Sequence, residues 1–250
     1  MVHAALRSVG PVVAGADAII AAIRDALGRD GTLMVYTDWE ADIWDLDEDP
    51  DDLSLVTMSV PEDRKGDVLA FNPAASRAIR SNGALSELVR TLPGAVRSAS
   101  PGASCAAIGP RADWLTGDHA LDYGYGEQSP FARLVEAGGK VLMLGAPLDT
   151  MTLLHHAEHL AQLPGKRRLR IETPLLDPDG TTRWRWIEEF NTGVPIVAGP
   201  DEDYFAMVVE AFLATGKGRR GRVGAAPSVL VPAPEMVAFG VDWLESRFGR

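Results

Sequence analysis

The sequence is poor in the features that mark several protein classes. It has a single cysteine, Cys105, which excludes an internal disulfide framework and indicates a reducing compartment. No apolar run is long enough to cross a bilayer, and the first residues lack the pattern of a secretory signal. Internal repeats and low-complexity tracts are also missing. We therefore predict a globular, cytoplasmic protein with Cys105 in a buried strand.

Basic residues are scarce relative to acidic ones. The 250 residues carry a formal net charge of −11, which argues against nucleic-acid binding and favours a cationic partner. Nine acidic residues fall between Asp38 and Asp52, interleaved with Trp39 and Trp44. A solvated loop explains such a run, but carboxylates beside tryptophan faces are also suited to hold a polyamine.

Apolar runs separated by amphipathic stretches indicate an α/β protein. Continuous apolar residues predict strands at 32–37, 140–145 and 229–231, and such strands need cover on both faces. A helix predicted from about residue 16 to 27 makes the start of the chain a strand–helix–strand unit with a right-handed crossover. We expect a mixed central sheet flanked by helices on both faces, in a single domain spanning residues 1–250. A leading N-terminal helix is expected to be absent from that domain.

Turn and cap residues predict the remaining elements. Asp179 and Gly180 indicate the turn of an antiparallel β-hairpin insertion, at about 168–190. Ser129 and Pro130 are typical of a helix start, and a further helix is predicted from about 201 to 215. Residues 217–222 are predicted to form a Lys/Arg-rich loop, and Pro234 to begin a last helix.

The segment 140–163 reads as a strand, a short loop and a helix that carries histidines. Thr150 is predicted to cap this helix, and His155 and Glu158 lie three apart, on one helix face. Three interpretations stay open. The histidines belong to an ordinary amphipathic helix, or His155-x-x-Glu158-His159 binds zinc, or His155 is a general base.

Several segments of the chain together resemble the aminoglycoside 3-N-acetyltransferase family, which is distinct from the GNAT fold. They are residues 2–11, which include Val-His-Ala-Ala-Leu, residues 31–36, 97–104, 126–130 with 144–147, and 149–158. They occur in the family's order and cover most of the chain. Two positions depart from the family pattern: Ala5 stands where many relatives have serine, and Ser100 where histidine is common.

The resemblance implies a role for each matching residue. His155 is implied as the general base, with Thr152 near the thioester and Glu158 or Glu189 orienting His155. The residues implied to line the aminoglycoside pocket are Tyr36, Glu40, Tyr123, Asp149 and Glu189. The residues implied to cradle coenzyme A are Ala4, Ala5, Leu6, Arg7, Ser8, Val9, Gly10, Arg97, Ser98, Ser100, Ala103 and Ser104.

The implied activity is transfer of the acetyl group of acetyl-CoA to the 3-amino group of an aminoglycoside antibiotic, within a ternary complex and without a metal. Such a transfer needs a base for the amine proton and hydrogen-bond donors for the tetrahedral oxyanion. The implied partner is a cationic aminoglycoside, with no nucleic acid or membrane, and the protein is expected to be a monomer or a homodimer. The alternatives are a zinc-dependent hydrolase and a non-catalytic relative that binds a polycation.

Overall fold

A computed structural model shows strands and helices along residues 1–41, 44–49, 52–197 and 204–249, which are the residues it describes. The strands are β1 (Val2–Ala4), β2 (Leu33–Tyr36), β3 (Asp45–Asp49), β4 (Asp52–Ser59), β5 (Val96–Arg97), β6 (Cys105–Ile108), β7 (Lys140–Leu144), β8 (Arg168–Leu176), β9 (Thr182–Phe190), β10 (Arg219–Val223) and β11 (Ala226–Pro232). The α-helices are α1 (Gly15–Leu27), α2 (Ala84–Arg90), α3 (Ala112–Thr116), α4 (Pro130–Glu136), α5 (Leu153–Leu160), α6 (Tyr204–Ala214) and α7 (Ala233–Phe248). In these ranges, no helix combines the length and apolarity that a membrane span requires.

Hydrogen bonds join the described strands into three sheets. The first has the order β1-β7-β11-β10, with β1 parallel and β11 antiparallel to β7. The second, β2-β6-β5, is antiparallel. The third, β3-β4-β8-β9, contains one parallel pair, β4 with β8. The mixed α/β fold is confirmed, although three sheets take the place of the one that was expected.

Alternate side chains of the buried strands enter two hydrophobic cores. In β7, Val141 and Met143 pack into a core shared with α4, α5, α6 and α7, whereas Leu142 and Leu144 face a core shared with α1 and α2. The side chains of β6 alternate between the two cores in the same way, and Cys105 of this strand is fully buried, as predicted. Because side chains alternate across a strand, helices cover both faces, which confirms that part of the prediction.

The structure confirms two local predictions, a helix cap and a hairpin turn. Ser129 caps α4, its Oγ accepting a hydrogen bond from the backbone N–H of Ala132 at 3.1 Å. Strands β8 and β9 form the predicted antiparallel hairpin, in which Leu176 is paired with Thr182 across the turn. The hairpin is half of a four-stranded sheet rather than an isolated insertion.

The acidic segment, which was predicted as a loop, supplies β3 and the first residue of β4 in the other half of that sheet. Residues 42, 43, 50 and 51 of this segment lie outside the described residues. Strand β3 is at the edge of the sheet, where charged side chains deter pairing with other chains. The basic segment was likewise wrongly predicted as a loop. It forms β10, an exposed edge strand beside β11.

The opening strand–helix–strand unit is present, but its strands do not share a sheet. Strand β1 is hydrogen-bonded to β7, and β2 to β6. The expectation of a single parallel unit is therefore wrong, because each strand finds a distant partner in the chain. The helix predicted from 201 is described from Tyr204, since 201–203 lie outside the described residues.

The chain reverses between β7 and α5, where the histidines lie. Gly145 ends β7 with φ +63°, and a 3₁₀ turn at Leu148–Thr150 follows. Helix α5 begins at Leu153, and the Thr150 hydroxyl donates to Pro147 O at 2.7 Å. The prediction that Thr150 caps the helix is therefore wrong, because its hydroxyl stabilises the preceding turn instead.

Candidate active site

His155 lies between two cavities. We call one the Arg167 cavity; it has a volume of about 520 Å³ and is also lined by Glu158 and by residues 192–195. The other, the Thr152 cavity, has a volume of about 380 Å³. Its other lining residues include His3, Ala4, Ala5, Tyr36, Asn82, Gly83 and Ala146. Both His155 and the exposed Asp149 line both cavities, so molecules bound in the two cavities would meet at these side chains.

The imidazole of His155 is oriented by Glu158. Its Nδ1–H donates to Glu158 Oε2 at 2.7 Å, as the spacing of three residues on α5 predicts. The Glu158 side chain is 4% exposed and that of His155 19% exposed. Because Nδ1 carries the proton, Nε2 is left as an acceptor. The dyad therefore has the arrangement of a histidine base held by a carboxylate.

A second donor reaches the other oxygen of the Glu158 carboxylate. The Tyr204 hydroxyl donates to Glu158 Oε1 and itself accepts a hydrogen bond from the backbone N–H of Ile196 at 3.3 Å. Aromatic rings flank the imidazole, with the ring centroids of Phe205 and Tyr125 at 4.8 and 5.0 Å. The base is thus held by hydrogen bonds at one end and by ring contacts at its sides.

Glu189 does not share in orienting His155. It lines a smaller cavity, of about 70 Å³, together with Trp39, Trp44 and Tyr125. The pKa of Glu189 is raised to about 7, mainly because burial penalises the charged form, while hydrogen bonds from the backbone N–H groups of Phe190, Gly124 and Tyr125 oppose the shift. The alternative that Glu158 orients His155 is the one that the geometry supports.

Asp38 is a second, partly buried acid near the site, and nothing in the sequence singled it out from the acidic run. Asn82 donates to its carboxylate, and burial is the main cause that raises its pKa to about 7. Tyr36, at the end of β2, lines the Thr152 cavity, and its hydroxyl lies 2.5 Å from that of Tyr125. Tyr36 also hydrogen-bonds the Asp38 carboxylate, so Asp38, Tyr36 and Tyr125 form one polar cluster, of which Tyr36 lines the Thr152 cavity.

The remaining residues implied for the aminoglycoside pocket lie apart from His155. Tyr123 has φ +53°, and its backbone N–H donates to Glu188 O at 2.7 Å. Its ring packs on Phe190, with the centroids 5.1 Å apart. Glu40 is exposed beyond the end of β2. Neither residue lines the Arg167 or the Thr152 cavity.

Residues 4–10 divide between the cavity and the protein interior. Ala4 and Ala5 line the Thr152 cavity, and Leu6–Val9 form a 3₁₀ turn. The Ser8 hydroxyl donates to Ala5 O at 2.7 Å, and Val9 is buried in the core with α1 and α2. The side chain of Arg7 is exposed. The start of this segment is therefore the part placed to contact a molecule in the cavity.

The implied coenzyme residues between 97 and 104 are buried and satisfied internally. The Arg97 guanidinium donates to Ser104 Oγ at 3.0 Å, to Ser76 O at 2.6 Å and to Thr37 O. Ser98 Oγ accepts from the Cys105 N–H at 2.9 Å. Ser100, Ala103 and Ser104 are each at most 2% exposed. These contacts support a structural role, and the coenzyme role of the segment stays an untested prediction.

Some site residues could not be found from the sequence. Tyr204 and Phe205 belong to a helix far along the chain, with no local signal that links them to His155.

His3 is a site residue that the strand pattern could have indicated, because side chains alternate along β1 and His3 lies on the opposite face from Val2. Its Nε2 is buried without a hydrogen-bond partner among the described residues. Its pKa is lowered to about 3 by burial first, then by the N-terminal ammonium and His155.

The zinc interpretation finds no support in this geometry. Across the described ranges, no three or more His, Cys, Asp or Glu side chains are grouped so that they could hold a metal ion. Both oxygens of Glu158 already accept hydrogen bonds, from His155 and Tyr204. The ring of His159 instead packs between Tyr123 and Phe190, with centroid distances of 6.0 and 5.3 Å.

Comparison with known proteins identifies the group to which this site belongs. A sequence model described as aminoglycoside 3-N-acetyltransferase matches residues 1–245. The chain belongs to the aminoglycoside 3-N-acetyltransferase family. It is 46% identical over 251 residues to aminoglycoside N(3)-acetyltransferase III of Pseudomonas aeruginosa, covering 100% of this chain and 88% of that relative.

Solved structures of aminoglycoside acetyltransferases have the same fold as this chain. The structure of AAC-IIIb in a binary complex with CoASH superposes with a TM-score of 0.92 and is 60% identical in sequence, covering 99% of this chain and 90% of that one. The room-temperature neutron and X-ray structure of AAC-VIa bound to sisomicin has a TM-score of 0.88 and 35% identity, covering 99% of this chain and 91% of that one. The family resemblance drawn from the sequence is confirmed.

Proposed function

We propose that this protein transfers the acetyl group of acetyl-CoA to the 3-amino group of an aminoglycoside, with His155 as the general base. The observation that carries the proposal is the position of His155, which is hydrogen-bonded to Glu158 and lies where two cavities meet. The relative solved with CoASH and the relative solved with sisomicin support the two substrates. Acyl transfer within a ternary complex needs this arrangement of a base between donor and acceptor.

The Thr152 cavity is the better place for the acetyl donor. Its walls near His155 carry the small side chains of Ala5, Gly83 and Ala146, which let a thioester and its pantetheine chain approach the backbone. Thr152 is 7% exposed and lines the same wall. Its hydroxyl and nearby backbone N–H groups are the donors that we assign to the developing oxyanion.

The Arg167 cavity is then the place for the aminoglycoside, which leaves Tyr36, implied for that pocket by the resemblance, on the acetyl-donor side. Asp149 at its edge is exposed and supplies negative charge beside His155. Thr192 lines both this cavity and the smaller one that contains Glu189, so acidic groups follow one path away from the base. Acidic side chains along such a path attract a polycation and hold its ammonium groups by charge-assisted hydrogen bonds.

The proposed reaction needs no covalent enzyme intermediate. The 3-amino nitrogen attacks the thioester carbonyl carbon while His155 Nε2 takes a proton from that nitrogen. Glu158 stabilises the imidazolium through the Nδ1–H bond. When the tetrahedral intermediate collapses, the C–S bond breaks, and the proton passes from His155 to the leaving thiolate to give CoASH. The acidic path favours protonated amines, so the 3-ammonium group first loses one proton to solvent, and His155 takes the second proton as the neutral amine attacks.

A thiol-release assay with acetyl-CoA and a small panel of aminoglycosides tests the proposal. The wild-type protein should release CoASH only when an aminoglycoside is present, and NMR of the product should place the acetyl group on the 3-amino nitrogen. His155→Ala should lower kcat by roughly two to four orders of magnitude, the usual effect of losing a general base, while binding of acetyl-CoA is nearly unchanged.

Turnover near the wild-type value in a folded His155→Ala protein would contradict the mechanism. Aminoglycoside binding without thiol release would indicate a non-catalytic relative. Stoichiometric zinc in protein purified without added metal, lost in His155→Ala, would favour the hydrolase instead. A cytoplasmic location and a monomeric or homodimeric state stay predictions of the sequence.

A further inference from the structure

Tyr204 connects the histidine base to a different part of the chain. It is the first residue of α6, and its hydroxyl lies between the Glu158 carboxylate, to which it donates, and the backbone N–H of Ile196, from which it accepts. Glu158 in turn accepts from His155. A continuous set of hydrogen bonds therefore runs from the backbone at Ile196 to the imidazole.

The ring of Tyr204 is firmly packed, so its hydroxyl has a fixed position. The residue is 3% exposed. Its ring centroid lies 5.4 Å from that of Phe205, 6.1 Å from that of Trp243 and 5.9 Å from that of Phe248. A packed ring brings its hydroxyl to one place without further loss of side-chain entropy, because its rotamer is already set by the core.

The Glu158 carboxylate needs this donor. Its side chain is 4% exposed, and a buried carboxylate oxygen without a donor is costly. His155 satisfies Oε2, which leaves Oε1 to Tyr204. With Oε1 unpaired, the carboxylate could rotate towards another donor and release Nδ1, and the imidazole could then adopt the tautomer that leaves no lone pair on Nε2.

We propose that Tyr204 is a positioning residue for the acetyl transfer, whose hydroxyl fixes the Glu158 carboxylate in the orientation that holds His155 with Nε2 free to accept a proton. This inference rests on the proposed function. Tyr204 has no direct part in the bond changes, and it acts through Glu158. Its bond to the Ile196 N–H also ties the base to the segment 192–197, part of which lines the Arg167 cavity.

Tyr204→Phe removes the hydroxyl and keeps the packed ring, so it isolates the hydrogen bond. We expect kcat to fall roughly ten- to one-hundred-fold, the size expected for the loss of one hydrogen bond to a charged group. The KM values for acetyl-CoA and the aminoglycoside should change less than kcat, because the packed ring stays and only one oxygen is removed from the lining of the Arg167 cavity. Phe248→Leu is the matched control, since it removes one of the three ring contacts of Tyr204 and keeps the hydroxyl together with the contacts to Phe205 and Trp243.

A double-mutant cycle shows whether Tyr204 acts through Glu158. In a Glu158→Gln background, Tyr204→Phe should have almost no further effect on kcat, because the carboxylate that it positions is gone. A loss of equal size in both backgrounds would overturn the inference. So would a folded Tyr204→Phe protein whose kcat stays within about twofold of the wild-type value, which is inside the usual error of additivity.

A spectroscopic measurement separates this inference from the proposed function. In ¹⁵N-histidine-labelled protein, the Nδ1-bound proton of His155, assigned by its disappearance in His155→Gln, should shift or broaden in Tyr204→Phe and stay unchanged in Phe248→Leu. An unchanged signal in Tyr204→Phe would overturn the positioning role, whatever the activity. Failure of the wild-type protein to release CoASH would instead overturn the proposed function, and the assignment of Tyr204 to acetyl transfer would fall with it.

Discussion

Glu189 shows how burial sets the charge of a single side chain at this site. Its pKa is raised to about 7 by burial, against the opposing effect of backbone N–H donors. Near neutral pH the carboxyl group is therefore poised between its two protonation states. A bound ammonium group stabilises the charged state, so the affinity of a cation should depend on pH in this range.

We expect Glu189→Gln to remove part of the pH dependence of the aminoglycoside KM. As pH falls from about 8 to about 6, wild-type Glu189 takes up a proton through its pKa of about 7 and loses its negative charge. The wild-type KM should then rise towards that of the variant. At about pH 8 the variant should have a KM roughly tenfold higher, and at about pH 6 the two should converge.

The exposed neighbour supplies the control for this measurement. Glu188→Gln changes the same kind of group one position away, where the carboxylate is exposed. The ratio of its KM to the wild-type KM should stay flat with pH, because Glu188 is exposed and lines neither the Arg167 cavity nor the cavity that contains Glu189. A flat ratio for Glu189→Gln as well would show that its carboxyl does not contact the substrate.

The sequence was sufficient to identify site residues that lie close to one another along the chain. His155 and Glu158 could be paired because helical periodicity places residues three apart on one face. Tyr204 lies 46 residues beyond Glu158, and nothing in the sequence links the two. The family resemblance implied that the loop 97–104 cradles the coenzyme, and small residues do permit close approach of a ligand. They permit close approach of the protein's own backbone equally well, and Arg97 fills that space.

At the scale of elements, the connection from β7 to α5 depends on close packing at Gly145. A Cβ added there would lie 1.8 Å from Ser8 Oγ and 3.0 Å from the Cβ atoms of Ser8 and Ala226. Ser8 belongs to the 3₁₀ turn that follows β1. Ala5, which directly precedes this turn, lines the Thr152 cavity. Gly145 therefore permits the approach of two segments that both border the cavity.

Gly145→Ala and Gly138→Ala are a matched pair that separates steric overlap from backbone strain. The φ angles are +63° and +62°, but a Cβ at Gly138 meets nothing within 4 Å. Gly138→Ala should lower the free energy of unfolding by about 1 kcal/mol, from backbone strain alone. Gly145→Ala should lower it by roughly 1–3 kcal/mol more, because Ser8 has to move. Urea unfolding measures both values, and equal losses would contradict the steric argument.

The elements that were wrongly predicted as loops are strands at or beside a sheet edge. Strand β10 is rich in arginine and β3 in acidic residues, and charge of this kind reads as a solvated loop in the sequence. Each becomes a strand because a partner supplies backbone hydrogen bonds. That partner is the next strand in the chain in both cases, β4 for β3 and β11 for β10. Strand β4 is itself paired with β8 from more than a hundred residues away, as Leu55 with Arg168, and that pairing leaves no local pattern. The apolar runs of β2, β7 and β11 were visible in the sequence, whereas the charge of β3 and β10 hid their strand structure.

At the scale of the whole molecule, buried imidazoles and buried carboxyls have opposite effects on the pH dependence of stability. Burial is the main cause that lowers the pKa of His3 to about 3 and those of His119 and His159 to about 4, from 6.5. As pH falls below about 6.5, the unfolded chain binds protons that these folded imidazoles do not, so the free energy of unfolding falls. The loss continues until the folded pKa values are reached.

The buried carboxyls oppose this loss. Asp38 and Glu189 have folded pKa values of about 7, against 3.8 and 4.5 as ordinary values. Between those limits the folded protein binds protons that the unfolded chain releases, so these two groups raise the free energy of unfolding as pH falls. The three imidazoles with strongly lowered pKa values outnumber these two carboxyls, and the pKa of His156 is lowered as well. We therefore expect a net loss of stability between about pH 6.5 and 4.

Removing one of the opposing carboxyls should make the acid loss steeper. In Glu189→Gln, the free energy of unfolding should fall faster than in the wild type between about pH 7 and 4.5, by up to about 1.4 kcal/mol per pH unit, the limit for one proton. Urea unfolding at a series of pH values measures the two slopes. Glu188→Gln, a change at an exposed neighbouring position, is the matched control and should keep the wild-type slope. If Glu189→Gln also kept the wild-type slope, burial of Glu189 would not be the source of proton uptake, and the pH dependence predicted for its contact with substrate would be contradicted with it.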